Sequence, residues 1–201
     1  MLLTNEYFIV TLFGLIIGSF TNTIIYRIPR NLSIILPKSF CPHCAHQILF
    51  YDLIPIISFI NLYGKCRYCK KNIGFQYLVV EALMAGIFIA TFYQWGLTFK
   101  TLSGWLLAIV IVSAAVIDIN WGIIPDKITY PSLVMGLLFS FVTVGIYSSI
   151  AGGIFFAGAL LLAAFCYRGA MGGGDIKIAL VIGIFTGFQG AIIAFILAVV
   201  L

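Results

Sequence analysis

Two aspartates stand where their surroundings could put them to chemical use. Asp118 closes an apolar run, Ala115-Val116-Ile117-Asp118-Ile119-Asn120. Asp175 follows Gly172-Gly173-Gly174, with Lys177 two residues on. Two carboxyl groups held close cannot both ionise, so one becomes a base and the other an acid. The base takes a proton from water, the acid donates to a peptide carbonyl, and the water attacks with no covalent enzyme intermediate. Gly172 and Gly174 have no side chain, so a substrate backbone could approach them closely, and they tolerate the positive φ of an irregular turn. Such an edge could offer an unwound substrate its backbone hydrogen bonds. The alternative is that both aspartates mark helix ends near lipid headgroups; the Gly-x-Gly-Asp pattern favours the pair.

The other four acids are less telling. Glu6 and Asp52 lie in polar segments and read as solvated. Asp126 follows Pro125 and reads as a turn or capping residue, with catalysis as the lesser alternative. Glu81 falls about two turns into an apolar stretch, where it could bind substrate, pair with a base, or serve as a structural hydrogen-bonding group.

The cysteines suggest a different chemistry. Cys41-Pro42-His43-Cys44 and Cys66-Arg67-Tyr68-Cys69 form two CxxC pairs in one polar loop. Each pair aims two thiolates at one point, and together they complete a tetrahedral zinc shell with no open position, hence a structural one. Two disulfides are the alternative, disfavoured if the loop faces a reducing compartment. His43 and His46 could substitute as ligands but read as solvated. Cys166 has no partner in sequence and reads as apolar filler.

These groups must be positioned by helices in a membrane. The chain is 63% hydrophobic and 8% charged, with mean hydropathy +1.17. A soluble surface cannot be built from so few charges. Uncharged stretches long enough to cross a bilayer recur along the sequence, and the alternating pattern of a barrel is absent. The expected fold is all-α and polytopic, with about six transmembrane helices near 7–26, 75–95, 101–118, 130–147, 150–167 and 178–200. The divisions expected are a first helix (1–26), a cytoplasmic zinc loop (27–74) and a catalytic bundle (75–201). Ten of the 11 Lys and Arg residues fall on one side of this arrangement, including Arg27, Arg67, Lys127, Arg168 and Lys177, leaving Lys100 on the other. The positive-inside rule makes the crowded side cytoplasmic and brings Asp118 and Asp175 to the same depth. The net charge of +5 is thus an orientation signal with attraction to anionic lipid, and calls for no nucleic acid.

With these motifs in order, the sequence resembles the type IV prepilin leader peptidases. The resemblance runs through Gly18-Ser19-Phe20-Thr21-Asn22 to Pro29, the Cys41–Cys69 loop, Gln76 to Glu81, Ile117-Asp118 with Ile124-Pro125-Asp126, and Gly172 to Lys177. It implies an inner-membrane enzyme that cuts the basic leader from prepilins and pseudopilins. It also implies methylation of the new N-terminal amine with S-adenosylmethionine, for which the residues show no nucleotide fingerprint. By position it makes Asp118 and Asp175 the proteolytic pair and Cys41, Cys44, Cys66 and Cys69 the zinc ligands. Gln76 and Leu78 stand where the family is expected to prefer Arg and Pro, and relatives are expected to carry a further pair of helices. A signal-peptide-peptidase type of protease, which shares Gly-x-Gly-Asp, would be expected to lack the cysteine loop. An ion-coupled carrier would need charges near mid-membrane and often an internal repeat. The sequence leaves the oligomeric state and the particular pilin open.

Overall fold

The computed structural model describes residues 2–36, 38–166 and 172–200, so Arg168 lies outside the described residues. These residues form seven α-helices and one short 3-10 turn, with no strand: α1 (Leu2–Arg27), the turn Phe50–Leu53, α2 (Ile57–Asn61), α3 (Gln76–Trp95), α4 (Phe99–Trp121), α5 (Asp126–Ser140), α6 (Ile146–Cys166) and α7 (Gly173–Val200). Helices satisfy every backbone polar group internally, which an apolar solvent demands. By length and composition alone, five of them, α1, α3, α4, α6 and α7 (its two parts counted together), reach what a membrane crossing needs.

The chain divides into two compact units, Met1–Gln94 and Trp95–Leu201. α3 therefore groups with α1 and the cysteine loop, whereas the sequence reading put it with the later helices. In the first unit α1 and α3 touch backbone to backbone. A Cβ on Gly18 would lie 2.7 Å from the Glu81 Cα, and one on Gly14 would lie 2.8 Å from the Ala85 Cα. Small residues spaced four apart are how helices associate where lipid removes the hydrophobic drive.

The second unit differs from expectation in two helices. The helix expected at 130–147 runs Asp126–Ser140 instead. Pro125, with extended backbone, forces the start just after itself, and the Gly145 N–H turns back to the Ser140 carbonyl at the other end. At 1.5 Å per residue α5 spans roughly 22 Å, short of a hydrocarbon core of about 30 Å.

The helix expected at 178–200 starts at Gly173, taking the glycine run into its first turn. It also breaks at Gly187, whose φ of 69° and ψ of −177° only glycine adopts readily. Before the break, α7 runs antiparallel to α6, with Gly153 against Leu180 and Gly152 against Gly183. A straight continuation would carry Phe195 past the start of α6. Instead Phe195 stacks on Phe155 and Phe156, with ring centroids 5.9 and 6.1 Å apart. The segment after Gly187 thus folds back along α6, and α7 is two short helices rather than one long span. Ser148 accepts the Phe188 N–H at 3.1 Å, one of the donors the break releases. The core here joins both halves to α6 through Phe156, Leu160, Ala179 and Ala191.

Candidate active site and metal centre

In the first unit, the two CxxC turns are built alike. The Cys41 N–H donates to the His46 carbonyl and the Cys66 N–H to the Lys71 carbonyl, both at 2.9 Å. Ala45 and Lys70, at equivalent places, both take positive φ. Single antiparallel bridges, Phe40 with Gln47 and Lys65 with Asn72, close the two turns. The result brings all four sulfurs within 4.8 Å of one another. A tetrahedron with metal–sulfur bonds of about 2.3 Å has edges of about 3.8 Å; the Cys41 and Cys69 sulfurs are 3.9 Å apart. All four are free thiols rather than disulfides. The donor set and its spacing fit a metal ion.

Neither histidine belongs to this cluster. His43 is exposed, and His46 stacks on Tyr68 at 3.5 Å. The thiols are not equivalent. The Cys69 backbone N–H, helped by that of Tyr68, holds Cys66 down to about 7 against desolvation. At Cys44 the His46 backbone N–H lowers the thiol, but desolvation and the neighbouring thiols outweigh it and raise it to about 11.

Asp52 is not solvated. Its side chain is 7% exposed, and it receives both Arg67 donors, at 2.8 and 2.6 Å. Arg67 lies between the paired cysteines, so this bidentate pair ties the 3-10 turn to the second CxxC. The Arg67 guanidinium holds the Asp52 carboxyl below its ordinary value.

Glu81 also finds a partner that sequence reasoning could not supply. Its Oε2 accepts the Ile56 N–H at 2.8 Å, and Ile56 is held at φ 60°, a costly backbone for a β-branched residue. Asn22, one turn and a half before the end of α1, donates to the Tyr77 carbonyl at 3.0 Å. The sequence reading includes Asn22 only as part of the stretch from Gly18 to Pro29 and gives it no role.

The second unit holds the aspartates. Asp118 lies exposed in the last turn of α4. Gly122, in the left-handed conformation, ends the helix by donating to the Asp118 carbonyl at 2.7 Å. A carboxylate at a helix C-terminus faces the negative end of the macrodipole, so this position is not favoured for stability.

Asp175 lies half-buried in the first turn of α7. Its Oδ2 accepts the Gly172 N–H at 3.1 Å, while its own N–H donates to the Gly172 carbonyl. The carboxylate reaching back to the Gly172 N–H is half of a capping box; the other bond is a backbone turn, since Gly172 has no side chain to give. The glycines are therefore not an irregular turn of positive φ: among the described residues neither Gly172, Gly173 nor Gly174 adopts one. Gly174 instead permits close packing, since a Cβ there would lie 2.9 Å from the Ile124 Cβ.

Asp126 is the first residue of α5, where Pro125 is the cap and the acid lies in the first turn. It pairs with Lys177 at 2.5 Å. Ile124 against Gly174 and Asp126 against Lys177 thus fasten the 122–126 connection onto the first turns of α7. The structure brings the end of α4, the start of α5 and the start of α7 together, with Asp118, Asp126, Asp175 and Lys177 on them. Cys166 ends α6 on its exposed surface.

The profile described as "Bacterial Peptidase A24 N-terminal domain" matches residues 12–95, and that described as "Type IV leader peptidase family" matches 105–201. The boundary between them coincides with the division between the two units. The Bacillus subtilis protein named prepilin leader peptidase/N-methyltransferase is 36% identical, over 96% of this chain and 79% of its own length. Proteins with the same name from Vibrio cholerae and Aeromonas hydrophila are 31% and 32% identical, covering 92% and 94% of this chain and 80% and 76% of their own lengths. No solved structure gives a significant match. The chain belongs to the type IV leader peptidase family.

Proposed function

We propose that this chain is an inner-membrane aspartic endopeptidase that removes the basic leader from prepilins and pseudopilins at the cytoplasmic face. It then methylates the exposed N-terminal amine with S-adenosylmethionine. The observation that supports the reading is the fastening of the 122–126 connection, which follows the helix that bears Asp118, onto the first turns of α7, which bear Asp175. The relatives' names supply the substrate class and both activities.

In this reading Asp118 and Asp175 share a proton over one water. One takes a proton from that water and the other protonates the scissile carbonyl as the water attacks. Asp175 keeps Oδ1 for this work while Oδ2 caps the helix. Lys177, through Asp126, is a positioning residue. Gly172 and Gly174 serve close packing and the cap. The basic residues, ten of 11 on one side if six segments cross, support a cytoplasmic placement of that side. A prepilin places a basic leader in the cytoplasm and an apolar helix in the bilayer, so its scissile bond lies where these helix ends lie.

Cys41, Cys44, Cys66 and Cys69 would hold zinc. Four thiolates leave no position for substrate, so zinc supplies folding energy to the loop and takes no part in the reaction.

The test is to incubate the membrane-embedded protein with a prepilin, with and without S-adenosylmethionine, and to weigh the product. Leader loss in both mixtures and a gain of one methyl group only with the donor are expected. An uncut prepilin would reject the reading.

A further inference from the structure

The loop between α1 and α3 carries more apolar surface than a loop in water should. Ile57 and Ile60, three residues apart in α2, share one side of that helix and are 56 and 62% exposed. Ile54 before them and Tyr63 after them are exposed too. The other side of the segment is turned inward: Ser58, Phe59 and Leu62 line a cavity with Asn22 of α1 and Glu81 of α3. Placing Ser58 inward and isoleucines outward is the reverse of what a water-facing turn selects. The two isoleucines are as exposed as Phe8, Ile9 and Ile16 of α1, whose neighbours in a membrane are acyl chains.

Glu81 fixes the depth of this surface. α3 has 20 residues, which at 1.5 Å each span roughly 30 Å, the whole of a hydrocarbon core. Glu81 is its sixth residue, so the Glu81 Cα lies about 7.5 Å past the helix start. The Glu81 carboxylate holds the Ile56 N–H at 2.8 Å, and Ile57 follows directly. The start of α2 therefore lies beside the first turns of α3 rather than beyond its end. The apolar faces of interfacial helices sit about 5–10 Å into the boundary between headgroups and acyl chains, which is the same range. The charges agree. Among residues 28–75, Asp52 is the sole acid against Arg30, Lys38, Lys65, Arg67, Lys70 and Lys71, a balance that suits anionic headgroups.

From this depth and this outward apolar side we infer that residues 54–63 lie in the bilayer interface and that lipid is their partner. Ile57 and Ile60 sit among the upper acyl chains, and Tyr63 sits at the headgroups, where an amphipathic ring is favoured. The bond between Glu81 and Ile56 gives a carboxylate at membrane depth its donor and fixes the loop to α3. The two cysteine turns are thereby held against the membrane surface. The inference goes beyond the proposed function: it needs α1 and α3 in a bilayer and neither activity.

The test uses the full chain in vesicles of phosphatidylethanolamine and phosphatidylglycerol. The vesicles contain a phospholipid with a photoreactive group on its acyl chain. After irradiation the labelled residues are located by mass spectrometry, and a parallel sample is footprinted with hydroxyl radicals from the aqueous phase. The expected result is acyl-chain label at Ile57 and Ile60, as at Phe8, Ile9 and Ile16, with none at the exposed His43 and with loss of radical attack on 54–63. Radical attack on 54–63 without acyl-chain label would put this surface in water. Protection from both probes would mean that protein covers it, and label as strong at His43 as at Ile57 would reject the depth. Any of these three results overturns the inference.

Discussion

The cysteine loop and the aspartate-bearing helix ends solve opposite problems. In the loop every functional group is held: four sulfurs converge, Asp52 is locked to Arg67, and Glu81 fixes the strained Ile56. At the helix ends Asp118 is exposed, opposed by its own helix dipole, and fastened only through neighbours. The loop's contacts favour stability, whereas Asp118 gains nothing for the fold where it stands. A polar group that stabilises nothing where it stands is better explained by what it can do to a substrate than by what it does for the fold.

The largest way to sharpen this contrast is metal removal. Structural zinc contributes on the order of 10 kcal/mol or more to small sites, so chelation should open residues 28–75 to protease while 95–201 stays protected. Equal loss in both units would break the contrast. Metal uptake should also release protons in a pH-dependent way. Cys66, held down to about 7, is mostly ionised at pH 8 and mostly protonated at pH 6, so calorimetry should find fewer protons released at the higher pH.

Next in size is packing within the second unit. A Cβ on Gly152 would lie 2.6 Å from the Gly187 carbonyl carbon. Gly152→Ala should therefore cost about 1–3 kcal/mol, read from unfolding in detergent. An unchanged transition would reject the α6–α7 contact.

Smaller still is Lys177→Met. Both partners of the Asp126 pair are more than a third exposed, so screening should hold the stability cost under about 1 kcal/mol. Prepilin cleavage should fall more than stability does, since the pair positions the connection next to Asp118. The smallest effect is acid sensitivity of the loop. Arg67 holds Asp52 below its ordinary value of 3.8, so the pair's contribution is complete above that pH and fades as pH falls through the lowered value. In Arg67→Met, the loop's protection from protease should change less with acid than in the unaltered chain.

Much of this was legible because the bilayer leaves few choices. Long uncharged runs became helices, and the two CxxC pairs became one cluster, since local spacing alone shapes each turn. What stayed hidden depends on tertiary contact. The break at Gly187 sits in a uniformly apolar run, where Thr186 and Phe188 give no turn signal, and only the stacking of Phe195 on α6 reveals it. Gly172 to Asp175 reads from sequence as an irregular turn, and the hydrogen bonds between Gly172 and Asp175 show a helix start instead. The link between Glu81 and Ile56 joins a membrane helix to a strained loop residue, which no periodicity encodes. Asn22 is one of several small polar residues near the end of α1, and only the structure shows that Tyr77 takes its amide.

The most direct measurement concerns Asp118→Asn and Asp175→Asn, isosteric changes that keep each helix end intact. Each variant, inserted in membranes at the level of the unaltered chain, would be mixed with prepilin and the cleaved fraction followed over time. Loss of a paired acid and base should slow cleavage by at least about 100-fold in either one. Cleavage near the unaltered rate in either variant would contradict the account.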